Sequence, residues 1–181
     1  MRFSDYAYVE DYLEHGKYPK IHDGIFALDR FIPRCNVLDL GCCTGLLSLR
    51  LADVHPLVVG VEPSTTYISK APEKGNVRYV VMGISSETLV SFGELISENR
   101  IEAVFARRVL PEISECGGVE LVTSLAETMR GAGVKYLAIE GRKPRGNAVN
   151  RLSSIDDEIL AVNRQYKIIR RCGDCVLMEA R

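Results

Sequence analysis

The chain has 181 residues, which is enough for one domain with a sizeable buried core. It is 46% hydrophobic and 26% charged with a net charge of −1, values that are ordinary for a globular protein and exclude a disordered or fibrous chain. No stretch reaches the roughly twenty apolar residues of a membrane span, and the first residues lack a signal-peptide core, so we expect a cytoplasmic protein without membrane contact.

The first predicted elements are two helices separated by a break. Residues 6–31 mix aromatic and charged side chains, and Gly16 and Pro19 disfavour one continuous helix.

The stretch that follows has the clearest pattern in the chain. Residues 37–40 have strand character, Gly41 and Gly45 bound a tight turn, and residues 46–52 have the apolar spacing of a helix. Gly41 lets the backbone reverse without a β-carbon, and the first helical turn presents its N–H groups to an electron-rich ligand. Asp39, at the end of the strand, can accept hydrogen bonds from an amine or a hydroxyl.

A second predicted strand, residues 57–62, ends in an acid. Glu62 lies 23 residues after Asp39. In doubly wound folds, an acid about twenty residues beyond the glycine turn hydrogen-bonds ribose hydroxyls. The alternative is a surface carboxylate beside the turn-forming Pro63.

Helices and strands alternate through the rest of the chain, which predicts an α/β fold with a doubly wound, mostly parallel seven-stranded sheet and helices on both faces. A closing hairpin adds an antiparallel edge. The predicted elements are a helix at 64–71 with Ser64 as its N-cap, a strand at 77–82, a helix at 86–97, a strand at 101–106, a helix at 118–130, a strand at 134–140, a helix at 153–163, and hairpin strands at 166–171 and 176–180.

The cysteines do not indicate a metal site. Cys172 and Cys175 form a C-x-x-C pattern, but no second pair or histidine cluster stands at zinc-ligand spacing. Gly173 and Asp174 lie between two strand-like runs, so the tip of a hairpin is the favoured interpretation of the pattern, and a metal or redox motif is the alternative.

The run Asp39-x-Gly41-Cys42-x-x-Gly45 resembles the first motif, D-x-G-x-G-x-G, of the class I S-adenosylmethionine-dependent methyltransferases. The resemblance covers nearly the whole chain, because the predicted strand order and the acid at Glu62 also match the family. It implies a single domain over 1–181, with 1–34 as a helical lid, and S-adenosylmethionine as the cofactor.

The motif departs from the family pattern at one position. Cys43 stands where the family usually has its middle glycine. The competing dinucleotide fingerprint, G-x-G-x-x-G, would need glycine at both Cys43 and Leu46, so a nicotinamide-dependent oxidoreductase is disfavoured.

The resemblance also assigns roles to individual residues. Ser85 follows the third strand, where the family often places an acid that binds the adenine amino group. In the lid, Lys17, Tyr18 and His22 are candidates for substrate contacts. The alternative is that these three residues belong to the helical core and surface. The cofactor-binding set is Asp39, Gly41, Cys42, Gly45, Glu62 and Ser85.

The acceptor side has no distinctive signature. Ligands bind beyond the carboxyl ends of the strands, where basic residues follow the fourth and fifth strands, and the chain from Arg130 onward carries eleven basic and six acidic residues. This charge favours an anionic acceptor, either nucleic acid or an anionic metabolite, although ordinary solvated loop charge is an equal alternative. The substrate-binding candidates after the fifth strand are Arg142, Lys143 and Arg145, and the candidates for catalysis are Arg107, Arg108 and Glu112.

The leading functional prediction is therefore an S-adenosylmethionine-dependent methyltransferase with an unidentified acceptor. The alternative is a non-catalytic member that keeps the fold and acts as a binding or partner-activating subunit. Neither the acceptor atom nor the oligomeric state follows from the sequence.

Overall fold

A computed structural model describes residues 22–141, 152 and 154–181. The strands are β1 (Asn36–Leu40), β2 (Val58–Glu62), β3 (Val77–Val81), β4 (Ile101–Arg107), β5 (Tyr136–Glu140), β6 (Tyr166–Cys172) and β7 (Cys175–Ala180). The helices are α1 (Asp23–Phe26), α2 (Leu46–Leu51), α3 (Thr65–Ile68), α4 (Leu89–Glu98), α5 (Leu110–Gly131) and α6 (Ile155–Val162), and a 3₁₀ turn covers Asp29–Phe31.

The strands form one sheet in the order β3-β2-β1-β4-β5-β7-β6. Strands β1 to β5 pair in parallel, whereas β7 pairs antiparallel with both β5 and β6. The predictions of a mostly parallel seven-stranded α/β sheet and of an antiparallel hairpin at its end are confirmed. The strand order reverses between β1 and β4, and in open α/β sheets ligands bind in the crevice beyond the carboxyl ends of the strands at such a point.

The sheet contributes side chains to two hydrophobic clusters, because successive residues of a strand point in opposite directions. In β1, Val37 packs with residues of α1 and α2, whereas Leu38 and Leu40 pack with residues of α4, α5 and α6. All five residues of β2 are buried. Burial from two sides explains why these strands are continuous apolar runs rather than alternating ones.

A break divides α5 into two helical segments, because Gly117 and Gly118 have non-helical backbone angles and Gly118 has φ 75°. The predicted helix at 118–130 corresponds to the second segment, whereas the first segment, which begins at Leu110, was not predicted. Pro111 occupies the first turn, where its missing N–H needs no partner. The helix therefore begins directly after β4, and its first turn lies at the crevice.

The predicted hairpin tip is confirmed. Cys172 and Cys175 are register partners, and Gly173 between them has φ +60°, as the first central residue of a two-residue type II′ turn does. Ser64 is also confirmed as the N-cap of α3, because its hydroxyl accepts a hydrogen bond from the N–H of Tyr67. In the described part of the chain, none of the helices has the length and apolar character to cross a membrane.

Candidate functional site

The turn after β1 has an unusual backbone. Gly41, Cys43 and Gly45 have φ values of 72°, 51° and 76°, all left-handed. The N–H groups of Gly41 and Cys42 both donate to the carbonyl of Val61 in β2, at 2.8 and 3.1 Å. A left-handed residue with a β-carbon costs about 1–2 kcal/mol, which gives a physical reason for glycine at the position that Cys43 holds here.

Glu62 is fixed by this turn. Its carboxylate accepts hydrogen bonds from the N–H of Cys43 at 3.2 Å and the N–H of Ser64 at 3.1 Å. Burial raises the pKa of Glu62, the two backbone hydrogen bonds oppose that shift, and the nearby carboxylate of Glu112 adds to it. A carboxylate has about four acceptor positions, so Glu62 keeps acceptor capacity after binding the turn.

Asp39 joins β1 to α2. It accepts a 2.6 Å hydrogen bond from the hydroxyl of Ser48, and both side chains are buried. Burial raises the pKa of Asp39 to about 6, against the lowering effect of the hydrogen bonds from Ser48. The sequence analysis described Asp39 as an acceptor for an amine or a hydroxyl but did not predict Ser48 as its partner, because the pairing depends on how α2 packs against the end of β1.

The glycines of the turn also make room for side chains of the protein itself. A β-carbon at Gly45 would overlap the hydroxyl end of Tyr79, and one at Gly60 would lie 2.8 Å from the same ring. A β-carbon at Gly41 would lie 2.8 Å from a methyl group of Val109. Sequence analysis did not predict these contacts, because Tyr79 and Val109 lie far along the chain from the glycines that they contact.

The loop after β3 is closed by its own side chains. The N–H of Ser85 donates to the hydroxyl of Thr88 at 2.8 Å, and that hydroxyl donates to the carbonyl of Gly83 at 2.7 Å. Met82 lies beside the end of β2, since its N–H donates to the carbonyl of Glu62 at 3.1 Å. The Ser85 side chain is half-buried at this edge, and its contact with a cofactor remains a prediction.

Two arginines and one glutamate meet at the ends of β4 and β5. The guanidinium Nε atoms of Arg107 and Arg108 lie 3.2 and 3.0 Å from the same oxygen, Oε1, of Glu140. The N–H of Arg108 also donates to the carbonyl of Glu140 at 2.7 Å. The Arg107 and Glu140 side chains are 15% and 7% exposed, whereas Arg108 is 43% exposed. The sequence predicted basic residues here but not their shared carboxylate.

His22 lies in the same neighbourhood. Burial lowers its pKa to about 4, helped by the positive charges of Arg107, Arg50 and Arg108, while the carboxylate of Asp23 opposes the shift. His22 is therefore neutral at physiological pH, and it adds no charge to the arginine pair.

Glu112 lies in the first turn of α5 and is half-buried. Its negative charge adds to the rise in the pKa of Glu62. Among the described residues, His, Cys, Asp and Glu side chains form no group of three that could hold a metal ion.

Five of the predicted substrate-binding residues fall outside the part of the chain that the structure describes. These are Lys17, Tyr18, Arg142, Lys143 and Arg145.

The fold is that of a known class. The strand order, in which an antiparallel strand lies between the last parallel strand and the edge, is the order that the resemblance to the class I methyltransferases implies. Comparison with solved structures gives the same answer, and the chain has the class I S-adenosylmethionine-dependent methyltransferase fold.

Three solved structures illustrate the similarity. A TehB-like SAM-dependent methyltransferase from Corynebacterium glutamicum matches with a TM-score of 0.70 and 16% identity, over 96% of this chain and 96% of that chain. The N-methyltransferase NodS from Bradyrhizobium japonicum matches with a TM-score of 0.63 and 14% identity, over 88% and 93% of the two chains. The N-terminal domain of EvdMO1, crystallised with SAH bound, matches with a TM-score of 0.59 and 16% identity, over 88% and 80%.

No protein-family model and no curated protein matches the sequence. The likeness at these identities therefore concerns the fold.

Proposed function

We propose that this protein is an S-adenosylmethionine-dependent methyltransferase. The observation that carries the proposal is the fixed carboxylate of Glu62, which accepts N–H groups from the glycine turn at Cys43 and from Ser64. An acid at the end of β2, held against a left-handed glycine turn, is the arrangement that binds ribose hydroxyls in doubly wound folds.

The residues of the crevice fit this cofactor. Glu62 keeps lone pairs for two hydroxyl donors after its backbone contacts. The carboxylates of Asp39, Glu62 and Glu112 make this part of the crevice electronegative, which suits a cationic sulfonium. We propose that the cofactor is bound by Asp39, Gly41, Cys42, Gly45, Glu62 and Ser85.

The chemistry demands little of the protein's own acids and bases. When bound, S-adenosylmethionine supplies an activated methyl group, so the protein must chiefly align donor and acceptor and exclude water. Val109 covers the turn at Gly41 and contributes an apolar wall. We propose that residues 1–34 add a lid within a single domain over 1–181, and that the two hydrophobic clusters correspond to helical layers on the two faces of the sheet.

The charges at the ends of β4 and β5 favour an anionic acceptor, either nucleic acid or an anionic metabolite. Two guanidinium groups share the single carboxylate of Glu140, which leaves one net positive charge, and neutral His22 does not change it. Arg108 is the more exposed of the two arginines and is the group that can meet a phosphate or carboxylate. We propose that Lys17, Tyr18, His22, Arg142, Lys143 and Arg145 contribute further acceptor contacts.

Calorimetric titration with S-adenosylmethionine and with S-adenosylhomocysteine tests the cofactor. We expect micromolar binding of both by the wild-type chain and a loss of about tenfold or more in Glu62→Gln, since a hydrogen bond to a charged group is worth about 1.5–3 kcal/mol. Glu94→Ala, which removes an exposed carboxylate of α4, is the matched control. Absence of binding by the wild-type chain would reject both the enzyme and the site.

A screen of RNA, DNA and anionic metabolites with a radiolabelled methyl donor tests the acceptor. We expect methyl transfer to one of these classes, and in Arg108→Ala a weaker acceptor affinity with a smaller dependence on salt. Cofactor binding without transfer to any acceptor would instead favour the alternative, a non-catalytic binding or partner-activating subunit. An unchanged acceptor affinity in Arg108→Ala would remove Arg108 from the acceptor site.

A further inference from the structure

Two cysteines at the tip of the β6–β7 hairpin form a pair that methyl transfer does not use. Cys172 and Cys175 are register partners in the antiparallel ladder. All six cysteines of the chain are free thiols. Opposed residues in an antiparallel ladder have Cα atoms about 4.5–5.5 Å apart, and disulfides bridge Cα separations of about 4.4–6.8 Å. The two thiols are therefore within bonding reach of each other.

The two thiols also lie on the same face of the hairpin. The guanidinium of Arg170 lies over the ring of Phe31 at 4.4 Å, whereas the next residue, Arg171, reaches Asp156 of α6 at 2.6 Å on the other face. Side chains alternate along a strand, so Cys172 returns to the face of Phe31. Its register partner occupies that face as well, in the hydrophobic cluster that Phe31 packs against.

The environments of the two thiols differ. Cys172 is exposed, whereas Cys175 is 6% exposed. The Sγ of Cys175 lies 2.9 Å from the position that a β-carbon would take at Gly24 in α1. Burial raises the pKa of Cys175 to about 11, and the neighbouring carboxylate of Glu140 adds to the shift. Cys172 is therefore the thiol that a dissolved reagent meets first.

We propose that Cys172 and Cys175 form a thiol–disulfide exchange site for low-molecular-weight disulfides of the glutathione class. The Cys172 thiolate attacks one sulfur of the small disulfide, and the other sulfur leaves as a thiolate. Cys175 then gives up its proton to the first small thiolate, and its sulfur attacks the Cys172 sulfur of the mixed disulfide and expels the second small thiolate, which takes up from water the proton that Cys172 had released. The two protein thiols are oxidised by two electrons, and the small disulfide is reduced to two thiols.

The geometry makes this reaction reversible. Opposed β-carbons in a ladder are about 4.5–5.5 Å apart, more than the 3.5–4.5 Å of a relaxed disulfide. A disulfide across the Gly173 turn is therefore strained, and strained or exposed disulfides are the labile ones. Cys175 is also the register partner of Glu140, so the exchange site borders the crevice.

Mass spectrometry of the full chain tests the proposal. The chain is equilibrated with reduced and oxidised glutathione at a series of ratios, quenched with acid, alkylated and digested with trypsin. Cleavage after Arg171 gives the peptide 172–181, which contains Cys172, Cys175 and no other cysteine. We expect this peptide to lose two hydrogens as the mixture becomes more oxidising, and to recover them on dilution into reduced glutathione.

Two variants and one internal reference make the result decisive. In Cys175→Ala the mixed disulfide on Cys172 should accumulate at least about tenfold more than in the wild type, since no neighbouring thiol resolves it. Cys116, which is exposed on α5, is the internal reference and should carry persistent glutathione adducts. Far-ultraviolet circular dichroism checks that each variant is folded. A wild-type peptide 172–181 that stays reduced, or that carries glutathione to the same extent as Cys116 at every ratio, would overturn the proposal.

Discussion

The two halves of the crevice are built by different means. On the turn side, residues 41–45 and Glu62 are held by backbone N–H groups and left-handed φ values. On the arginine side, Arg107, Arg108 and Glu140 are held by side-chain charges that come from two strands. The left-handed shape of the turn follows from the residues at 41–45, and pairing of β1 with β2 brings Glu62 to it. The arginine side, by contrast, depends on ion pairs between side chains at the ends of β4 and β5.

This difference predicts that substitutions on the two sides of the crevice will destabilise the protein in different ways. A substitution on the turn side should act through local backbone strain or through one buried carboxyl group. A substitution on the arginine side should act through an uncompensated buried charge, which is the larger effect.

The largest expected effect is that of Glu140→Ala. The substitution leaves the guanidinium of Arg107, 15% exposed, without its carboxylate. We expect a loss of about 4 kcal/mol in the free energy of unfolding, measured by urea denaturation. Glu102→Ala is the control, because its pair with Lys135 joins the same two strands in an exposed position, and it should cost less than about 1 kcal/mol. Equal losses in the two variants would contradict a buried charge network.

The next largest expected effect is a dependence of the free energy of unfolding on pH, which arises from Asp39 on the turn side. The folded-state pKa of Asp39 is raised to about 6 from the ordinary 3.8. The folded state therefore binds more protons than the unfolded state between about pH 4 and 6, and stability falls as the pH rises through that window. Ionised Asp39 should cost on the order of 3 kcal/mol above pH 6.

Asp39→Asn measures this cost directly. Urea denaturation at pH 4 and at pH 8 should show that the variant gains about 3 kcal/mol relative to the wild type between the two values. The lowered pKa of His22 acts in the opposite direction, but it is common to both proteins and cancels in the difference. A stability difference that does not change with pH would show that the Asp39 carboxyl is not perturbed in the fold.

A smaller effect is expected from Gly45→Ala. The new β-carbon would sit at a φ of 76° and overlap the end of the Tyr79 side chain, so we expect a loss of about 2 kcal/mol. Gly133→Ala isolates the strain alone, because Gly133 has φ 103° and no neighbouring atom within 4 Å of the added carbon. It should cost about 1 kcal/mol. Identical losses would mean that Tyr79 moves aside without cost.

The smallest expected effect is a gain in stability. Cys43→Gly removes a left-handed strain of about 1–2 kcal/mol, against an entropic cost of about 0.5–1 kcal/mol for glycine, so thermal denaturation should show about 0.5 kcal/mol of stabilisation. Arg100→Gly, at a φ of 50° on an exposed residue, should give a similar gain.

Arg108→Gly separates the two sides of the crevice. Arg108 has the same kind of strain, with φ 55°, but its guanidinium pairs with Glu140. The substitution should therefore show no gain. A stabilisation equal to that of Cys43→Gly would mean that the Arg108 ion pair contributes nothing.

The sequence by itself determined most of the helices and strands and the residues on the turn side of the crevice. The strands β1 and β2, the turn between Gly41 and Gly45 and the acid at Glu62 were predicted from residues that are near one another in the chain. Apolar runs, glycines and a terminal acid are local signals, because left-handed backbone and buried strands select residue types directly. The N-cap Ser64 and the Gly173 hairpin were predictable for the same reason.

The tertiary structure decided which side chains meet. The shared carboxylate of Glu140, the hydroxyl that Ser48 gives to Asp39 and the ring of Tyr79 over Gly45 all join residues from different elements. Such contacts join residues that are far apart in the chain, and they form only when strand pairing and helix packing bring those side chains together. The segment of α5 before Gly117 was not predicted, because Val109 gives it no side-chain N-cap and only the packing of Leu110 and Ile113 into the core identifies it.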